Sequence, residues 1–168
     1  MKIAKESYIQ TEDHRRRSSL ALISLRDYSH IRNLSEPEKA YIAGIIDGEG
    51  YISMHYKNFS KSRVKDLKLV LIIVNTNKDL INYIKSKLIN GSAILRRNKI
   101  PHRKDSWRFV TSQIVAKEII KAVYPYLIIK RKQADLALSF MENRFKGVEE
   151  QMEYKKKFLI LNRRGKEV

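Results

Sequence analysis

Residues 41–50 read Tyr-Ile-Ala-Gly-Ile-Ile-Asp-Gly-Glu-Gly, and the prediction of the fold begins from this segment. It has the apolar pattern of a helix, yet Ala40, Gly44 and Gly48 put a small residue at every fourth position. Glycine inside a helix costs about 1 kcal/mol relative to alanine, so two such positions need compensation. Small residues at this spacing form a smooth stripe along which the backbone of a second helix can approach closely.

The stripe ends in two carboxylates, Asp47 and Glu49, with glycines beside them. A tightly packed pair of such helices would bring acidic side chains to one shared end, side by side, where they could bind metal ions. A buried core helix that ends in a glycine cap, with both carboxylates merely solvated, accounts for the same pattern. The apolar run from Ala40 to Ile46 is far shorter than the roughly 20 residues that cross a bilayer.

The charge of the chain points to a polyanionic partner. The 168 residues carry 35 Lys and Arg against 18 Asp and Glu, a net charge of +17. Residues 57–108 hold 14 of these cations and only three acids, which is +11 of the excess in under a third of the chain. Such a basic domain is typical of nucleic-acid binding. A ribosomal protein or a protein of an anionic membrane surface is the bland alternative.

The residue types exclude some other classes of protein. Cysteine is absent, so neither a disulfide framework nor a Cys-based zinc site is possible. The four histidines are scattered without the spacing of metal ligands. The run Leu20–Leu25 is too short for the core of a secretory signal. The sequence therefore predicts an intracellular protein, in the cytoplasm of a prokaryote or in an organelle.

Hydrophobic periodicity predicts the order of the elements. Ser35-Glu36-Pro37-Glu38 is a helix start with a capping box, and this helix runs to about Asp47. The elements predicted after it are a strand over 49–57, a strand over 67–74, a helix over 78–89 that Thr76 can cap, strands over 92–97 and 107–111, a helix to Val123 that Ser112 caps, and helices over 130–145 and 148–161. Helices then segregate to one face of an antiparallel sheet. The other sheet face carries the polar alternate residues.

Three regions follow from this pattern. Residues 1–33 are predicted to be a basic N-terminal arm, residues 34–146 the core, and residues 147–168 a C-terminal helix and tail. The triplet Lys155-Lys156-Lys157 on the last helix is interpreted as solvated surface.

The segment Ile42–Gly50 resembles the LAGLIDADG motif of homing endonucleases. Five of its nine positions are identical to the motif, and the other four differ by Ile for Leu twice, Gly for Ala and Glu for Asp. The resemblance extends to about Arg144. It implies an α+β fold of the αββαββα type, a saddle whose antiparallel sheet lies over DNA with the helices on the other face.

The resemblance also implies a function. It indicates a site-specific double-strand DNA endonuclease of the single-motif, intron-encoded type, with Mg²⁺ or Mn²⁺ as cofactor. No second motif follows Gly50, and one motif helix cannot pack against itself. The stripe of Ala40, Gly44 and Gly48 therefore predicts a homodimer on a long pseudo-palindromic site. The alternative is a maturase that binds intron RNA, or a regulator that binds DNA without cutting. Glu49 favours the nuclease, because a non-cutting relative needs no carboxylate there.

The resemblance assigns roles to particular residues. Glu49 and the backbone carbonyl of Gly48 are implied as metal ligands, and Asp47 as a structural residue at the helix end. Lys130 is implied to lie near the scissile phosphate. A basic triplet is mildly unfavourable at a helix N-terminus, so Lys130-Arg131-Lys132 also suggests an anionic partner.

Two asparagines compete for a place beside the active-site water. Asn77 falls where the family often has an amide that binds this water, and Asn75 is the competitor. An ordinary helix cap is the alternative interpretation of both. The remaining candidates are for DNA binding, from the sheet face and the following helix: Ser53, His55, Lys57, Lys68, Arg96, Asn98, Arg108, Arg131 and Lys132.

Overall fold

The computed structural model describes residues 27–56, 67–143 and 147–163. Its elements in chain order are α1 (Ser29–Arg32), α2 (Glu36–Glu49), β1 (Gly50–Tyr56), β2 (Leu67–Asn75), α3 (Lys78–Leu88), β3 (Ser92–Arg96), β4 (Ser106–Ser112), α4 (Gln113–Val123), a 3₁₀ turn (Tyr124–Tyr126), α5 (Arg131–Asn143) and α6 (Val148–Leu161). This order is the predicted one, and most boundaries fall within two residues of the prediction.

The four strands form one antiparallel sheet in the order β1-β2-β4-β3. Strands β1 and β3 are therefore the edges. The register pairs Ile52 with Leu71 and Ile73 with Phe109, and all four side chains are fully buried. Because paired residues point to the same side of a sheet, these four define the face that the helices cover. The predicted α+β fold class is confirmed.

The core lies between this face and the helices. Helix α2 contributes Ile42 and Ile46, α4 contributes Ile119, and α5 contributes Phe140, each at most 1% exposed. Burying a side chain of this size stabilises a fold by roughly 1.5–3 kcal/mol. The core therefore fixes helix α2 along one side only.

Helix α2 begins as the sequence predicts. The Ser35 side chain accepts from the Glu38 backbone N–H, and the Glu38 carboxylate accepts from the Ser35 backbone N–H at 2.8 Å. Lys87 of α3 pairs with the same carboxylate at 2.6 Å. The hydrogen bond from Lys87, followed by those from Ser35, lowers the pKa of Glu38 from 4.5 to about 2. The first turn of α2 is thereby tied to α3.

One predicted cap is wrong, and a second has the predicted position without the capping hydrogen bond. The N-cap of α3 is Asn77 rather than Thr76, and its side chain accepts from the N–H groups of Asp79 and Leu80. Ser112 does occupy the N-cap position of α4, but its side chain makes no capping hydrogen bond. Ser112 still pairs with Val70 in the sheet, so strand β4 extends to Ser112 and passes directly into helix α4.

Both ends of the described chain pack into the same core. Tyr28 and Ile31, which lie within the predicted arm of residues 1–33, are 3% and 0% exposed, and Phe158 of α6 is fully buried. Most of the predicted arm (1–26) and the basic turn at 60–65 lie outside the described residues, and the domain boundaries stay a prediction. No helix of the described part is long and apolar enough to cross a membrane.

Candidate functional site

The small-residue stripe lies on the outer side of α2. Ala40, Gly44 and Gly48 are all exposed, whereas Ile42 and Ile46 on the opposite side are fully buried. A Cβ atom added to Gly44 or Gly48 would meet nothing within 4 Å. The described residues therefore do not use the stripe to pack the core, and they leave a smooth helix face open.

The glycine that ends the motif is required by sterics. A Cβ atom on Gly50 would lie 2.5 Å from the carbonyl oxygen of Ile46, which accepts from the Gly50 N–H. Such an approach leaves no room for a side chain. The chain passes from α2 into β1 at this point. Glu49, the last residue of α2, is therefore held at a fixed corner and is exposed.

Asp47 connects the end of α2 to the start of α5. Its carboxylate accepts from the backbone N–H of Ile128 at 2.7 Å and from that of Lys130 at 2.9 Å. The Lys130 ammonium donates to the backbone carbonyl of Asp47. This is the structural role predicted for Asp47, and its partners lie 81 and 83 residues away in the sequence.

The basic triplet is divided among different environments. Lys130 is partly buried, and its ammonium contacts Asp47, which lies two residues before Glu49 at the end of α2. The Arg131 guanidinium lies 3.8 Å from the centroid of the Tyr124 ring and donates to the Tyr124 carbonyl at 2.8 Å. Lys132 lines a groove between α5 and α6. The structure thus brings only Lys130 of the triplet to the end of the motif.

Asn77 caps helix α3, and Asn75 at the end of β2 supports that cap. Asn77 Oδ1 accepts from the Asp79 N–H at 2.8 Å, and Asn75 Oδ1 accepts from the Asn77 N–H at 2.8 Å. Both residues line a cavity of about 660 Å³ that also touches Tyr41 of α2. The helix-cap interpretation therefore describes their geometry, and a role beside active-site water stays a prediction.

The sheet face away from the helices is called the open face here. Its members are fixed by the register of the four strands: Tyr51, Ser53, His55, Lys68, Val70, Ile72, Val74, Ser92, Ile94, Arg96, Ser106, Arg108, Val110 and Ser112. Five of the predicted DNA-binding residues share it, because His55 pairs with Lys68 and Ile94 pairs with Arg108. The set predicted from strand alternation therefore lies on one surface.

The open face is less polar than the sequence suggested. Its centre is aliphatic, with Ile72, Val74 and Val110 half-buried and Val70 buried. These residues lie on the two central strands, β2 and β4, where β-branched side chains pack well. Cations are confined to the rims of this face, apart from Arg108.

Three predicted DNA-binding residues are not exposed on this surface in the described structure. Ser53 belongs to the open face but is only 4% exposed. Asn98 lies past the end of β3, in a turn where its N–H donates to Asp105 at 2.8 Å and its side chain accepts from Ile100. Its predicted place on the sheet face is wrong, because β3 ends at Arg96. Lys57 lies outside the described residues.

The β3 rim carries a cleft of about 460 Å³. Its lining residues are mostly basic: Arg96, Arg97, Asn98, Lys99, Ile100, Arg103 and Ser106. Between this cleft and the centre lies Arg108, whose buried Nε atom has no hydrogen-bond partner among the described residues. A buried donor without a partner is uncommon in native proteins, but this atom is enclosed by the protein and is not itself exposed to a ligand.

Sequence reasoning missed two features of this region. Ile128 and Ile129, beside the Asp47 contact, are 84% and 71% exposed, although their apolar character alone would place them in a core. Lys155 of α6, interpreted as ordinary surface, lies 3.4 Å from the centroid of the Tyr56 ring at the β1 edge. Neither position has a local sequence signal, because both depend on which segments meet in the fold.

The donor set at the end of α2 is sparse. Among the described residues, no three His, Cys, Asp or Glu side chains come together, and Glu49 has neither a hydrogen bond nor an ion pair. Mg²⁺ binds in proteins through one or two carboxylates together with waters and phosphate oxygens. An exposed carboxylate beside a backbone carbonyl, as at Glu49 and Gly48, fits such an open site and not an all-protein cage.

The architecture places the chain in a structural class: an α+β saddle whose antiparallel sheet has one face covered by helices and one open face with basic rims. No family model matches the chain, and no curated protein matches it in sequence. Solved structures do match. The homing endonuclease I-CvuI, in complex with the I-CreI target in the presence of Mg, has a TM-score of 0.62 at 18% identity, over 79% of this chain and 87% of that one.

Two further structures agree. The archaeal intron-encoded homing endonuclease I-Vdi141I, complexed with DNA, has a TM-score of 0.63 at 16% identity over 78% of this chain and 87% of that chain. The group I intron-encoded enzyme I-CeuI, complexed with DNA, has a TM-score of 0.54 at 12% identity over 80% and 70%. The chain has the fold of the LAGLIDADG homing endonucleases, and the fold family predicted from its motif is confirmed.

Proposed function

We propose that this protein is a site-specific double-strand DNA endonuclease of the intron-encoded homing type. It works as a homodimer on a long pseudo-palindromic site and uses Mg²⁺ or Mn²⁺. Its place of action is where genomic DNA lies, in a prokaryotic cell or an organelle. The fold it shares with endonucleases that were solved in complex with DNA supports this proposal.

One observation carries the proposal: a helix face of small residues that the described part of the chain leaves open, ending in an exposed carboxylate with no ion pair among the described residues. Gly44 and Gly48 leave the outer side of α2 free of side chains, and Glu49 lies at its end. Two copies of α2 packed along this face about a two-fold axis bring two Glu49 side chains together below the saddle. A protein that only bound nucleic acid would have no use for carboxylates against a phosphate backbone.

The chemistry follows from these groups. Hydrolysis of a phosphodiester requires a water in line, a neutralised phosphate and a stabilised leaving oxygen. A bound divalent cation supplies charge neutralisation and an activated water when it is present. Glu49 and the Gly48 carbonyl would hold that cation, and the Lys130 ammonium lies at the same end of α2 to stabilise negative charge at the phosphate. Asn77 or Asn75 would orient water.

The open face provides the DNA-binding surface. His55, Lys68 and Arg96 lie towards its rims, where duplex phosphates would pass, and phosphate contacts position a protein on DNA. Arg108 is partly exposed on this face, and its guanidinium can bind guanine or phosphate. The aliphatic centre suits contact with thymine methyl groups. Lys57, Asn98, Arg131 and Lys132 remain candidates for further contacts.

Glu49→Gln tests the catalytic part of the proposal. The change keeps the shape of the side chain and removes its charge, so cleavage of a candidate insertion-site DNA in Mg²⁺ should fall by about a hundredfold or more, the scale for losing one electrostatic contact in a transition state. Binding of the same DNA, measured in Ca²⁺, should change little. Glu142→Gln, which alters an exposed glutamate of α5, is the matched control and should cut normally.

Each outcome is informative. Full cleavage by Glu49→Gln would show that Glu49 is not a metal ligand. Specific binding without cleavage by the wild-type protein, in both Mg²⁺ and Mn²⁺, would favour a regulator on this fold, and preferential binding of intron RNA would favour a maturase.

A further inference from the structure

Helix α6 covers the outer edge of the sheet. Near its start the Gln151 side chain accepts from the Leu67 backbone N–H at 3.1 Å, and just past its end Asn162 donates to the Ile52 carbonyl at 3.0 Å. Between them Phe158 is fully buried in the core. An unpaired edge strand is open to pairing with other chains, and a covering helix prevents this. Helix α6 is therefore held in place at three points along its length.

Lys155 projects from this fixed helix at the β1 edge of the sheet. Its ammonium lies 3.4 Å from the centroid of the Tyr56 ring, a cation–π contact that holds a lysine in position. Burial, then the charge of Lys68, then that of Lys155 lower the pKa of His55. His55 also pairs with Lys68 across β1 and β2. These three side chains, called the rim cluster here, come from three separate elements.

The rim cluster gathers two ammonium groups, those of Lys68 and Lys155, around the imidazole of His55, whose lowered pKa favours its neutral form. None of its three side chains forms an ion pair with a carboxylate in the part of the chain that the structure describes. By contrast Lys156, the next residue on α6, pairs with Glu153 at 2.6 Å. Like charges held close together repel each other and cost free energy, so their assembly at the edge of the sheet indicates an anion that comes from outside.

We propose that His55, Lys68 and Lys155 bind a backbone phosphate of duplex DNA, so that the C-terminal helix forms the outer wall of the DNA-binding surface. This inference rests on the DNA-binding part of the proposed function and not on cleavage. The location at the sheet edge favours a phosphate over a base edge, because lysine acts as a flexible point charge without directional base readout. The cluster lies at the rim opposite the basic cleft of β3, so the two rims would hold the two sides of the duplex.

The test compares Lys155→Met with Lys156→Met. Methionine keeps the apolar stem of lysine and removes its charge, and the two neighbours differ in position but not in net charge. Binding of a mixed-sequence duplex DNA is measured by fluorescence anisotropy over a series of salt concentrations. Each phosphate contact contributes about 1 to the slope of log affinity against log salt. Lys155→Met should therefore make the slope of the dimer less steep by about 2, and Lys156→Met should leave it unchanged.

The outcomes separate this inference from the rest of the proposed function. A steep wild-type slope that Lys155→Met leaves unchanged would overturn the rim cluster alone. Equal shifts in both variants would also overturn it, because total charge and not position would then explain the effect. A slope shift confined to Lys155→Met would support it even if no DNA were cut. Thermal unfolding of both variants, read by circular dichroism, shows that the fold is retained.

Discussion

Replacing Gly44 with leucine should separate the fold of the protomer from its dimerisation. In the single chain a Cβ atom at Gly44 meets nothing within 4 Å, so a larger side chain has room. Leucine is also a better helix former than glycine, by about 0.5–1 kcal/mol. For a protein of this size, that gain raises the midpoint of thermal unfolding by about 1–4 °C. The isolated protomer should therefore fold, and unfold at a slightly higher temperature.

The dimer should respond in the opposite direction. If two α2 helices meet along the stripe, each leucine enters a space where only backbones fit. Overpacking typically costs about 1–3 kcal/mol per site, and a symmetric interface contains two sites. The combined cost of about 2–6 kcal/mol weakens dimerisation roughly thirtyfold to twenty-thousandfold.

Sedimentation velocity over a range of concentrations measures this effect directly. The wild-type protein should sediment as a dimer, and its unfolding midpoint should rise with protein concentration. Gly44→Leu should sediment as a folded monomer whose unfolding midpoint is independent of concentration. Lys121→Leu places the same side chain on an exposed position of α4 and should remain a dimer. A folded, dimeric Gly44→Leu protein, or a monomeric wild type at concentrations that cut DNA, would refute the proposed interface.

Two further predictions concern charged side chains. Lys130→Met should slow single-turnover cleavage by about a hundredfold, the scale of one transition-state electrostatic contact, while DNA affinity changes far less. Lys121→Met is the control. An unchanged rate constant in Lys130→Met would make Lys130 an ordinary phosphate contact. The pKa of Glu38 is lowered to about 2 by Lys87, so this carboxylate stabilises the fold at pH values above its unfolded pKa near 4.5, and the stabilisation is lost as the pH falls towards 2. Glu38→Gln should therefore lower the unfolding midpoint above pH 5 but not at pH 2, and an equal difference at both pH values would contradict the assignment.

Local patterns in the sequence predicted most of the secondary structure. The capping box of Ser35 and Glu38 starts α2, and the alternation after Gly50 gives β1. These features depend on groups a few residues apart, whose hydrogen bonds and side-chain directions are set by the backbone period. The same locality explains the errors. Thr76 and Asn77 are both good capping residues, and only the exact end of β2 decides which one caps α3.

For the motif and the open face, too, some features follow from local sequence pattern and others from tertiary packing. Local sequence pattern was enough to predict that a helix ends in Gly-acid-Gly and that polar residues alternate along the strands. Two contacts became visible in the folded structure alone. Asp47 binds the N–H groups of Ile128 and Lys130, more than 80 residues away. Lys155 lies beside Tyr56. Contacts between distant segments depend on how helices and sheet pack around one core, which no local period encodes. The chemical groups of the site can therefore be predicted from the sequence, whereas the positions of its charged side chains follow from packing.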